Sequence, residues 1–171
     1  MTRPYTGTSD GIASGARPGL LEFVKQIESK TDRALWNNGT WGVRKMRGKE
    51  DLSVHATGRA VDLSYRRMAD GRGKPQGRRH AQTLLHWLTQ NADALGIEMM
   101  IDYAVPKYGR GYRCDRGGWK TYTKKTVTGG GSFSSDWVHI ELSPRMADDP
   151  AAVAKVLEGL DPALFRAAVN G

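Results

Sequence analysis

A chain of 171 residues, 39% hydrophobic and 26% charged, has the length and apolar content of one domain that buries its own core. Its single cysteine excludes an internal disulfide and any multi-cysteine metal site, and no apolar run is long enough to span a bilayer. The net charge of +8 points to an anionic partner.

Met1 to Arg17 is rich in Gly, Ser and Thr and has no apolar signal core, so it reads as a flexible lead-in to a protein made in a cytoplasm. Pro18 opens a helix in which Leu20, Leu21, Val24 and Ile27 share a face, ending near Lys30. Asn37-Asn38-Gly39-Thr40 is a turn, and Trp41 to Met46 runs extended. Arg66 to Arg79, dense in Arg, Lys and Gly, reads as a loop with no phosphate-binding glycine pattern. Arg78 to Leu95 is a helix with Ala81, Leu84, Leu85, Leu88, Ala92 and Leu95 at helical spacing, stopped by Gly96. His80 and His86 on it do not share a face and read as structural. Ile97 to Val105 is a strand. Residues 106–135 form a long basic, glycine-rich connection with Tyr108, Tyr112, Trp119, Tyr122 and Phe133 interleaved. Part of it reads as a hairpin around Gly117-Gly118. Cys114 lies in the charged Tyr112-Arg113-Cys114-Asp115-Arg116 and is not read as a nucleophile. Asp149-Pro150 and Asp161-Pro162 each pair an N-cap with Pro at the first helical position and start two short closing helices.

Two stretches carry chemistry. From Ala60 to Tyr65, Val61, Leu63 and Tyr65 alternate with Ala60, Asp62 and Ser64, a strand with one apolar face and Asp62 on the other. Gly58 permits the tight turn that brings His55 back beside Asp62. In the second stretch Val138, Ile140 and Leu142 alternate with Trp137, His139 and Glu141. Taken alone, each stretch also reads as an amphipathic strand with polar residues toward solvent. Two such strands, each with a ligand-competent His, favour a shared metal site, with two imidazoles and a carboxylate suited to zinc. Asp136, three residues before His139, is placed to act on water as a general base, and Glu141 to orient His139 by a hydrogen bond.

Ser53, His55, Gly58, Ala60 and Asp62 spell the S-x-H-x-x-G-x-A-x-D pattern, and His139 follows an acid at Asp136. In these segments the chain resembles the zinc peptidases of bacterial cell-wall peptides, the VanY-like D-alanyl-D-alanine carboxypeptidases and phage L-alanyl-D-glutamate endopeptidases. The resemblance covers residues 18–145 and is loose between the motifs. It implies one zinc ion held by His55, Asp62 and His139, with Asp136 as base. Asp rather than Glu at that position is similar to the phage endolysin branch. Val43-Arg44-Lys45-Met46-Arg47-Gly48 is similar to the family's Arg-containing segment. That implies Arg44, or its competitor Arg47, as the clamp on the substrate carbonyl or carboxylate. By the same analogy Ser53, Trp119, Tyr122 and Trp137 border the substrate groove. The implied fold is α+β, a single domain over residues 18–171 in which a small antiparallel sheet carries the zinc site and helices pack on one side, as in the hedgehog and DD-peptidase fold.

The basic charge then reads as affinity for peptidoglycan and its anionic polymers. The chain lacks the helix-turn-helix, finger and RNP patterns of nucleic-acid binders. The expectation is a monomeric zinc endopeptidase of the phage endolysin type that acts on the bacterial wall without inserting into a membrane. The alternatives are a D-alanyl-D-alanine carboxypeptidase and a zinc-containing wall-binding domain without hydrolysis.

Overall fold

The computed structural model describes residues 2–46, 50–104, 108–123 and 135–170, with side chains through residue 167. Arg47, Val105, Gly129 to Gly131 and Phe133 of the sequence reading lie outside the described residues. Helix α1 (Pro18–Lys30) starts at its proline and buries Leu20, Phe23, Val24 and Ile27. It is followed by β1 (Trp36–Asn37), β2 (Ala60–Ser64), α2 (Gly77–Gln90) and β3 (Ile97–Asp102). A hairpin of β4 (Arg110–Arg113) and β5 (Gly118–Thr121) precedes β6 (Trp137–Leu142), and α3 (Pro144–Asp148), α4 (Pro150–Leu157) and α5 (Ala163–Asn170) end the order.

The fold is a single small α+β domain. Among the described residues, six strands form one antiparallel sheet in the order β1-β2-β6-β3-β4-β5. The last strand in sequence therefore sits between β2 and β3. The two-residue period of each strand divides the sheet into two faces. Val61, Leu63, Met100, Tyr112, Val138, Ile140 and Leu142 point to one face. There they form a common core with Leu20, Phe23 and Ile27 of α1, Leu84 and Leu88 of α2, and Val153, Leu157 and Phe165 near the C-terminus. Among the described residues no helix is long and apolar enough to cross a membrane.

Residues 2–17, expected as a flexible lead-in, are instead tied to the sheet by polar contacts. Arg59, completely buried, directs its guanidinium at Asp10 (Nε to Oδ2, 2.8 Å), Glu98 (3.3 Å) and the carbonyls of Gly7 and Leu142. Thr6 donates its hydroxyl to Glu98 at 2.5 Å. A guanidinium buried without such acceptors would cost several kcal/mol, so the segment and Arg59 require each other.

Two boundaries and one added helix differ from expectation. Helix α2 ends at Gln90 rather than Leu95, because the Asn91 side chain donates to the Trp87 carbonyl at 2.9 Å and turns the chain. Ala92 and Leu95 are nonetheless buried. Strand β3 stops at Asp102, which is buried and ion-paired with Arg78 (2.8 Å) and Arg110 (3.4 Å). Before the two expected closing helices comes α3, capped by Ser143, whose hydroxyl accepts from the Met146 amide.

Candidate metal centre

The site lies on the sheet face opposite the main core. Asp62 of β2 stands directly across from His139 of β6. The Asp62 amide donates to Gly39 and its carbonyl accepts from Asn38, both on the β1 side. Asp62 and His139 are thus a non-hydrogen-bonded pair, the arrangement that brings opposing side chains closest. The result is a contact of 2.9 Å between His139 Nδ1 and Asp62 Oδ1.

His55 reaches the pair from a 3₁₀ turn, Val54–Thr57. Ser53 caps this turn, its hydroxyl accepting from the His55 amide at 3.4 Å, and so positions His55. Gly58 ends the turn at φ +71, and a β-carbon there would lie 2.2 Å from the Gly15 carbonyl. His55 Nε2 comes to 3.4 Å from Asp62 Oδ2 but has no hydrogen-bond partner among the described residues, although it is buried. The ligand-competent atoms of His55, Asp62 and His139 all lie within 4.8 Å of one another, a cluster able to hold a metal ion.

The electrostatics suit a cation. Burial works against the Asp62 carboxylate, yet its hydrogen bond to His139 and its electrostatic interaction with His139 and the nearby His55 hold its pKa well below the usual carboxylate range. Burial likewise disfavours a charged His139. Its bonds to Asp62 and Glu141 outweigh that and push it up to about 10. A site that holds a proton this firmly between two carboxylates offers the same negative field to a metal.

Glu141 shares the His139 face, and its Oε1 accepts from His139 Nε2 at 2.9 Å, the orienting bond expected from the sequence. Arg44 lies at the rim, largely exposed, with Nη2 3.8 Å from Asp62 Oδ2. Asp136 is held differently. Its Oδ2 pairs with Arg66 Nε at 2.9 Å, and its buried Oδ1 has no hydrogen-bond partner among the described residues. Trp137 is half-buried on the site face, its ring 5.8 Å from that of Tyr103.

The two hairpin aromatics part company. Tyr122 is buried on the site face over Gly111, where a β-carbon would meet its hydroxyl at 1.9 Å. Trp119 pairs across the hairpin with Tyr112 and so faces the helices. Its indole nitrogen donates to Thr89 of α2 at 3.0 Å, which places it on the far side of the sheet from the metal cluster. The register of the hairpin decides this, and a loop reading of the segment does not supply it.

Sequence reasoning passed over Tyr5 and Tyr103. Tyr5 donates its hydroxyl to Glu141 Oε2 at 2.9 Å. Burial, then the carboxylates of Asp62 and Glu141, raise the Tyr103 phenol, so it stays neutral beside the cluster. An aromatic in a polar N-terminal stretch, and another at a strand end, carry no local sign of such a role. Cys114 is buried, and that burial raises its thiol pKa, in keeping with a residue outside the chemistry.

A family model described as VldE, C-terminal domain, matches residues 13–128, more than half of the 171-residue chain. The matched segment contains Arg44, His55 and Asp62 and stops before Asp136, His139 and Glu141. No curated protein and no solved structure matches the chain. With two of its three candidate ligands inside the matched segment, this chain belongs to the family of VldE C-terminal domains.

Proposed function

We propose that this protein is a zinc-dependent peptidoglycan peptidase, an endopeptidase of the phage endolysin type that hydrolyses an amide bond in the stem or cross-link peptide of the bacterial wall. The observation that carries this reading is the convergence of His55, Asp62 and His139, with His55 Nε2 buried and without a hydrogen-bond partner among the described residues. An orphaned imidazole nitrogen beside a carboxylate and a second imidazole is the donor set of a zinc site that keeps a position open. Zinc, when bound, supplies Lewis acidity and lowers the pKa of water toward ~7.

The remaining roles fall to side chains of the chain itself. His55, Asp62 and His139 hold the ion, and Glu141 fixes the His139 ring. Asp136 takes a proton from water and returns it to the leaving amine. Arg44, exposed at the rim, meets the carbonyl oxygen as negative charge develops on it. The net charge of +8 draws the protein to an anionic wall.

Purified peptidoglycan digested with and without a zinc chelator, with mass spectrometry of the released peptides, tests the reading. A new N-terminus within the stem or cross-link that vanishes with chelator is the expected result. Release of terminal D-Ala alone would replace it with a carboxypeptidase. One observation favours a second reading, a zinc-holding wall-binding domain without hydrolysis: the partner of the Asp136 side chain is Arg66. A zinc-loaded protein that binds wall but releases no peptide would establish that alternative.

A further inference from the structure

The N-terminal segment reaches the metal cluster through one side chain. Tyr5 Oη donates to Glu141 Oε2 at 2.9 Å, and Glu141 Oε1 accepts from His139 Nε2 at 2.9 Å. His139 Nδ1 is thereby the ring nitrogen turned toward Asp62. We propose that Tyr5 is a positioning residue for the metal ligand His139, acting through Glu141 from a segment strapped across the sheet. This inference rests on the metal-site reading above.

The geometry is built rather than incidental. Glu141 is almost fully buried, so each of its oxygens needs a donor, and Tyr5 and His139 supply one each. Without Tyr5, Oε2 loses its donor in a desolvated site, and the carboxylate is free to rotate away from the imidazole. Tyr5 itself is held from several sides. The Arg113 guanidinium sits 4.4 Å over its ring and is fixed in turn by Asp115 at 3.0 Å. The adjacent Thr6 is bonded to Glu98, and Gly7 and Asp10 to Arg59. Partners that orient a ligating histidine fix its ring and raise its basicity, and their loss typically weakens metal binding by about 10–100-fold.

The test uses the full chain and two readouts that do not depend on catalysis. These are zinc affinity by competition with a chromophoric chelator, and the visible absorption of the Co²⁺-substituted protein, which reports ligand geometry. Tyr5→Phe removes only the hydroxyl and is expected to weaken zinc binding by about tenfold, the lower end of the range for such partners. It should also shift the cobalt band. Glu141→Gln should weaken binding at least as much, and adding Tyr5→Phe to it should cost little more, because the two act in series. Thr6→Val loosens the same segment without touching Glu141 and should leave both readouts in place. A wild-type protein that binds zinc stoichiometrically, with Tyr5→Phe matching it in affinity and cobalt spectrum, overturns the inference and leaves the metal site standing. A wild-type protein that binds no zinc, or binds it as well after His139→Ala, overturns the metal site and the role of Tyr5 with it.

Discussion

Arg59 offers the sharpest test of how the domain holds together. Its side chain is fully buried, and Glu98, which it pairs with at 3.3 Å, is nearly so. Arg59→Ala would strand the Glu98 carboxylate in a desolvated site, with only Thr6 left as donor among the described residues. It would also remove a donor from the carbonyls of Gly7 and Leu142. Asp10 would keep Arg17 at 2.7 Å and adds little to the loss. Breaking a buried pair from one side costs about 3–5 kcal/mol. For a domain of this size that lowers Tm by roughly 6–20 °C, at about 2–4 °C per kcal/mol. Urea titration of the metal-free protein, followed by tryptophan fluorescence, gives the free energy directly. Arg59→Met combined with Glu98→Leu removes both charges and should return most of the loss, a signature that simple loss of packing would not show. An Arg59→Ala protein within ~1 kcal/mol of the parent would mean that the network is not buried in solution and that the N-terminal segment does not depend on it.

Gly58→Ala places a β-carbon 2.2 Å from the Gly15 carbonyl at a left-handed φ. The backbone term alone is about 1–2 kcal/mol, so a total loss of at least ~2 kcal/mol and weaker zinc binding through a displaced His55 are expected. A variant equal to the parent in Tm and zinc competition would contradict the assigned turn. In the metal-free protein, His139 has a folded pKa of about 10, above its unfolded value of ~6.5. Its stabilising contribution is therefore complete below pH ~6.5 and disappears as the pH rises through about 10. Urea midpoints in chelator should fall across that window, and His139→Gln should remove the slope. A midpoint in the parent that does not move would show that the His139 ring is not held between the two carboxylates.

What could be read ahead of the structure follows the range of each interaction. Strands β2 and β6 were legible because their alternation is local, and it put Asp62, His139 and Glu141 on the polar face where they stand. Helix α1 was legible from Pro18 and its apolar spacing. The N-terminal segment was not, because what fixes it is a set of charges and carbonyls far along the chain, with no periodic apolar residues of its own. Arg59 falls at an unspecified position of the S-x-H-x-x-G-x-A-x-D pattern, so nothing in the pattern announces its fully buried side chain. Trp119 was placed with the site because aromatic composition says nothing of which face a hairpin presents. Helix α3 was passed over although Ser143-Pro144 carries the same cap-and-proline chemistry as Asp149-Pro150, since five residues are too few to show a period.

The sheet order explains why the two halves of the site stand so far apart in sequence. Strands β2 and β3 do not pair with each other, and β6 fills the gap between them. Without β6, β2 and β3 would each present an open edge, and His55 and Asp62 would have no second imidazole. Strand β6 pairs both edges and places His139 opposite Asp62 and Glu141 within reach of Tyr5. An ion bound by His55, Asp62 and His139 would bridge the 3₁₀ turn, β2 and β6. It would stabilise the folded chain by an amount that grows with free metal concentration. Tyr5 then closes the arrangement from the other end of the chain: the strand that completes the sheet also carries Glu141, which accepts from Tyr5 on one oxygen and from His139 on the other.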